Sequence, residues 1–264
     1  MKCVSCGNDV ASPYCSECGQ RSGIERITLK DSLKDFWDQV IGLDSMFLRT
    51  LRDLTLRPGV VAQAYINGIR VRYFGPISYF FFMITLLLLW LSMLKLDFVQ
   101  LIQSRQDVMQ VEHANSVVMA GVTQWVSDNI RWVLFLAVPF QAVAARYLLF
   151  RKSGLNFAEH TVPLFYTAGH LFWLTMATFA YHKAMNDIPA VTVSILSMLY
   201  FGYVYGTFIR YQPRAKAFAK GIGVYIGGQL LFSLALVLLG IAVVVGLAIL
   251  NPEALKEIRP SNQP

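Results

Sequence analysis

Ile77-Ser-Tyr-Phe-Phe-Phe-Met-Ile-Thr-Leu-Leu-Leu-Leu-Trp90 sits inside a stretch from Pro76 to Leu94 that contains no charged side chain. As a helix that stretch rises about 28 Å, close to the hydrocarbon thickness of a bilayer. Working outward, four more apolar stretches read as spans: residues 131–150, 157–181, 189–209 and 221–250. Hydrophobic residues make up 55% of the 264-residue chain, and mean hydropathy is +0.48. The composition therefore predicts an all-α polytopic membrane protein with about five transmembrane helices. Pro139 is expected to kink the second span. The fifth is long enough to tilt, or to break near Gly227-Gly228.

Lysine and arginine orient this bundle. Residues 1–75 carry ten of them, the junction after the second span adds Arg146, Arg151 and Lys152, and the junction after the fourth adds Arg210, Arg214, Lys216 and Lys220. Seventeen basic residues thus fall on one side, against six on the other. The positive-inside rule places the richer side, with the N-terminus, in the cytoplasm. Five spans then place the tail, residues 251–264, outside. The net charge of +7 follows from this topology and from the acidic inner leaflet.

All four cysteines of the chain lie at the other extreme, as Cys3-x-x-Cys6-Gly7 and Cys15-x-x-Cys18-Gly19. Each turn aims two thiolates at one point, and the glycine lets the backbone fold back toward the sulfurs. Two such turns complete the closed tetrahedral shell of a structural Zn²⁺, with no position left for water. Residues 1–23 therefore read as a zinc ribbon that depends on its metal to fold. Disulfides would need an oxidising compartment, and no secretory leader stands before Cys3. A redox pair needs only one Cys-x-x-Cys, in a strand–helix frame. Nucleic acid is a disfavoured partner. Lys2, Arg21 and Arg26 are balanced by Asp9, Glu17 and Glu25, and a thiolate-bound zinc adds negative charge.

Residues 24–75 join ribbon to bundle. Leu29, Leu33, Phe36, Trp37, Val40 and Ile41 recur at helical spacing between charges, and Met46, Phe47, Leu51 and Leu54 form a second apolar stripe. Pro58 opens a third helix and Gly68 suits its end. These amphipathic helices are expected on the cytoplasmic face, where Arg57, Arg70 and Arg72 are candidates to hold anionic lipid phosphates.

The motifs from Cys3 to Arg21 precede Arg26-Ile-Thr, Leu43-Asp-Ser, Arg57-Pro-Gly and Tyr65-Ile-x-Gly68-x-Arg-x-Arg-Tyr73, then Asn156-x-x-Glu-His160 and His170. This series resembles the bacterial membrane family catalogued as domain of unknown function 3667, chiefly over residues 1–95. The resemblance implies a zinc ribbon on a multi-span bundle in the inner membrane and brings no activity with it. The five-span layout is also similar to that of the Yip1 family of membrane-shaping and trafficking proteins, an analogy of topology alone.

Polar groups at membrane depth are candidates for function. His170 lies eleven residues after Glu159, on the same helical face and about 16 Å further along. It should reach mid-bilayer, flanked by Tyr166 and Trp173. With Gln141 and Gln229, these residues outline a polar path. Each also has a structural reading. Asn156 and Glu159 have capping-box spacing, a neighbouring helix can satisfy His170, and the glutamines can join helices. His160 is expected at the membrane surface. Gly202-x-x-x-Gly206 and Gly223-x-x-x-Gly227 permit close helix contact. No nucleophile–base motif, phosphate loop or open metal site appears, so the chain does not read as an enzyme. The reading is a membrane scaffold whose ribbon recruits a cytoplasmic protein partner. The alternative is a transporter or lipid-handling protein with its path along the third span.

Overall fold

Proline at the first helical position opens two of the elements, where its missing N–H costs nothing. In the computed structural model, which describes residues 2–22, 45–96, 125, 128–185, 187 and 189–250, seven α-helices occur among the described residues. They are α1 Ser45–Leu56, α2 Pro58–Ile66, α3 Pro76–Leu94, α4 Ile130–Val143, α5 Phe157–Met185, α6 Ala190–Phe208 and α7 Arg214–Leu250. The stripe expected over residues 29–41, most of the segment between the first two spans and the tail lie outside the described residues.

Among the described residues, four helices are long and apolar enough to cross a membrane: α3, α4 with its continuation to Leu149, α6, and α7 as far as Gly240. Their outer faces need an apolar solvent. Leu230 is 66% exposed, Leu234 56% and Leu238 58%, a patch too large and continuous for water. α5 has the length, at 29 residues, but not the apolarity of the other four. It packs against α3, α4, α6 and α2, so much of its surface meets protein and tolerates His160, Thr161 and Thr167.

Contacts give the helix directions. Gly169 lies against Tyr79 and Phe80, and Trp90 Nε1 donates to the Met176 carbonyl, so α3 and α5 run parallel. α5 and α6 run antiparallel, because His170 stacks on Tyr200 while His160 and Tyr205 both stack on Phe150. Phe201 meets Tyr225 and Gly206 meets Phe218, which opposes α6 to α7. Leu149 meets Gly223 and Phe140 meets Phe232, which opposes α4 to α7. Direction therefore alternates from α3 to α7.

Both glycine pairs serve packing inside the chain. Gly202 and Gly206 sit against Phe218, while Gly223 and Gly227 sit against Leu149 and Ala144. α7 begins seven residues before the apolar stretch, because Arg214, Lys216 and Lys220 extend the helix beyond its apolar part, and it runs unbroken through Gly227 and Gly228. α4 continues through Pro139 and then widens to a π-helical turn, Ala144–Leu149. The five-residue bond from Phe150 N–H to the Ala145 carbonyl closes that turn (2.8 Å).

Candidate metal centre and its attachment to the bundle

The two cysteine turns are copies of one another. In the first, Cys3 N–H donates to the Asn8 carbonyl (2.8 Å) and Gly7 N–H to the Cys3 carbonyl (2.9 Å). In the second, Cys15 N–H donates to the Gln20 carbonyl (2.7 Å) and Gly19 N–H to the Cys15 carbonyl (2.8 Å). Single antiparallel bridges, Lys2 with Asp9 and Tyr14 with Arg21, close the two loops. Gly7 and Gly19 have φ of 79° and 69°, a left-handed conformation that a side chain would resist.

The four Sγ atoms lie within 4.8 Å of one another. Cys3 and Cys18 sulfurs are 3.5 Å apart and those of Cys6 and Cys15 are 3.6 Å apart, so no disulfide joins either pair. A tetrahedron with metal–sulfur bonds of about 2.3 Å needs sulfurs about 3.8 Å apart. The donor set and its spread therefore fit one thiophilic ion. The backbone N–H groups of Cys6 and Ser5 point at the Cys3 sulfur and bring its thiol down to about 6; at Cys6 and Cys18 the backbone N–H groups of Asn8 and Gln20 pull the same way, but burial and the neighbouring sulfurs outweigh them and those thiols rise.

The four-cysteine module is fastened to the helices. Gln20 is 2% exposed, and its side-chain amide donates to the Gly68 carbonyl (2.7 Å), at the end of α2. Gly68 has the positive φ expected of a helix-ending glycine. α2 is held in turn against α6: Gly59 N–H donates to Thr207 Oγ1 (3.1 Å), and Val61, Ala62 and Tyr65 are buried. Tyrosines from α6 cap α1, with Tyr200 and Tyr203 hydroxyls donating to the Leu54 and Leu56 carbonyls.

A buried carboxylate ties α1 to the segment just before α3. The Asp53 side chain is 1% exposed and accepts from Tyr73 Oη (2.9 Å), Arg57 (3.1 Å) and Arg52 (3.1 Å). Burial opposes its charge, but these three donors outweigh burial and hold its carboxyl below the usual carboxylate range. Beside it, Thr50 Oγ1 accepts from Phe74 N–H (2.8 Å), and the Phe74 carbonyl accepts from Tyr166 Oη (2.6 Å). Sequence reading missed Asp53, Thr50 and Gln20. The only local signal was the spacing of Asp53 and Arg57, one helical turn apart.

The structure ties the polar-path residues to separate partners. Glu159 forms the reciprocal capping box, accepting from Asn156 N–H (2.6 Å) while its own N–H donates to Asn156 Oδ1 (2.7 Å). His170 Nδ1 pairs with Tyr79 Oη (3.0 Å) and Nε2 with Thr55 Oγ1 (3.2 Å), which brings the ring to the end of α1. Gln141 is buried where Gly228 crosses it, whereas Gln229 is exposed on α7. His160, expected at the membrane surface, is covered by protein. It is 0% exposed because the π-helical turn of α4 brings Phe150 onto its ring and Ser153 Oγ to Nε2 (3.1 Å). Of the expected phosphate contacts, Arg57 is engaged with Asp53, Arg70 lies over Tyr65 and Arg72 over Tyr73.

A family model described as "Protein of unknown function (DUF3667)" matches residues 44–88, which hold α1, α2, the Asp53 lock and most of α3. This is the family that the sequence motifs resemble. No curated protein and no solved structure matches the chain.

Proposed function

We propose that this protein is a membrane-embedded scaffold whose zinc ribbon presents a cytoplasmic surface to a protein partner. The bundle crosses the inner membrane five times, with α5 as the third crossing, the N-terminus in the cytoplasm and the tail outside. The alternating helix directions and the basic residues gathered at one end support this topology. The zinc is structural, because sulfur fills every position of its shell.

The observation that carries the reading is the Gln20–Gly68 hydrogen bond. It joins a rigid four-cysteine module to α2, and α2 is wedged against α6. A module built this way holds a fixed surface at the membrane, as recruitment requires. The transport alternative draws on His170, which lies in α5 beside the partly exposed end of α1. It has less support, because Glu159 is committed to the capping box and Gln229 is exposed away from the others.

The test is Cys3→Ser with Cys6→Ser. The purified wild type should carry one zinc per chain and the variant none, with both inserted in the membrane. A cross-linked partner should be recovered with the wild type alone. A wild type without metal would refute the zinc assignment, and a partner recovered equally with both would refute recruitment by the ribbon.

A further inference from the structure

The junction between α4 and α5 and the junction between α6 and α7 converge on a cleft of about 380 Å³. Arg151 and Lys152 line it from the first, Lys216 and Lys220 from the second. Neither residues 144–156 nor residues 209–220 contain an aspartate or glutamate. Scattered loop cations orient a membrane protein without forming a site, but these four share one concavity of the size that small ligands occupy. A second observation is independent of charge. Gln212 also lines the cleft, and its side-chain amide nitrogen is buried with no hydrogen-bond partner among the described residues.

Lys220 is partly spent, since its Nζ donates to the Leu149 carbonyl (2.7 Å) and lies over the Phe150 ring. Lys152 and Lys216 are exposed and face no carboxylate from either junction. The cleft opens where the apolar stretch Ile130–Leu149 ends, which is headgroup level if that stretch crosses the bilayer. Its rim is apolar: Leu148 is 55% and Tyr211 49% exposed. A free phosphate would gain nothing from that rim, whereas a lipid would lay acyl chains along it.

We propose that this cleft is a binding site for an anionic phospholipid of the cytoplasmic leaflet. The phosphate is held by Arg151, Lys152, Lys216 and the Gln212 amide, and the chains run past Leu148 and Tyr211. The site does not depend on the zinc ribbon or on a protein partner.

The test is native mass spectrometry of the full chain in detergent, titrated with phosphatidylglycerol, cardiolipin or phosphatidylcholine. The wild type should retain the anionic lipids and release phosphatidylcholine. Lys152→Gln with Lys216→Gln should weaken anionic binding about twenty-five-fold, since each surface cation contributes roughly a factor of five. Lys152→Arg with Lys216→Arg should bind as the wild type does, which separates charge from folding. Lys183→Gln, at the other end of the bundle, should change nothing. The proposal is overturned if the wild type does not distinguish phosphatidylglycerol from phosphatidylcholine, or if the glutamine pair binds as tightly as the wild type. It is equally overturned if inorganic pyrophosphate displaces the lipid at comparable concentration, for the site would then serve a soluble phosphate.

Discussion

Gly59→Ala tests whether α2 is wedged against α6 as described. A Cβ on Gly59 would stand 2.3 Å from the Thr207 carbonyl carbon, 2.4 Å from Phe208 N and 2.5 Å from the Thr207 oxygen. Carbon atoms in contact settle at about 3.5–4.0 Å. The obstacle is backbone inside a helix, so no rotamer change relieves it, and α2 must retreat from α6 by more than about 1 Å. Overpacking of this kind costs about 1–3 kcal/mol. The retreat also strains the bond from Gly59 N–H to Thr207 Oγ1, worth about 1 kcal/mol. Alanine recovers up to about 1 kcal/mol of helix propensity, less at a helix start. The net expectation is a loss of about 2 kcal/mol, or a melting point lower by on the order of 5 °C. Gly240→Ala is the control, because nothing lies within 4 Å of a Cβ there. The assay is thermal unfolding of the purified proteins in one detergent. A Gly59→Ala protein that melts with the wild type or above it would refute the wedge.

Tyr73→Phe removes a donor from the buried Asp53 carboxylate and should cost about 2 kcal/mol near neutral pH, read from the melting temperature. Arg52 and Arg57 are 63% and 48% exposed, so solvent screens their pairs and the Tyr73 bond carries more weight. Asp53 is held below its usual range when folded, so its stabilisation is present above the unfolded value and disappears as pH falls through the folded one. The variant raises the folded value toward the unfolded one, so its acid loss should start at the same pH but be smaller and end at higher pH; an acid limb superimposed on the wild type would count against the lock. The topology is checked by cysteines placed at positions 110 and 153 and treated with an impermeant label. Position 110 should react from outside and position 153 from inside, and the opposite pattern would reverse the bundle.

What could be read from sequence was what is local. The cysteine turns close within sixteen residues, the apolar stretches are continuous, and the Asn156–Glu159 capping box spans one helical turn. α5 was legible in extent although it is less apolar than its neighbours, because it is long and free of charge from Thr161 to Tyr181. What stayed hidden depends on partners far along the chain. Asp53 meets Tyr73 twenty residues later, Gln20 meets Gly68 across 48 residues, and Gly59 meets Thr207 across 148. His160 shows the same dependence on distant partners. Its place near a span end suggested the membrane surface, but the π-helical turn of a different helix covers it.

These long-range contacts share one direction of support. The second cysteine turn holds the Gln20 backbone by accepting the Cys15 N–H at its carbonyl, and the Gln20 side chain then reaches the Gly68 carbonyl. Gly68 ends α2, α2 rests on the α6 backbone at Gly59, and α6 ties down α1 through Tyr200 and Tyr203. Asp53 of α1 closes the path onto Tyr73, just before α3. The residues matched by the family model therefore form a clamp between the cysteine module and the spans. A metal held by the four cysteines would order the second turn and Gln20 with it, and would so set how firmly the cysteine module is held to the helix bundle.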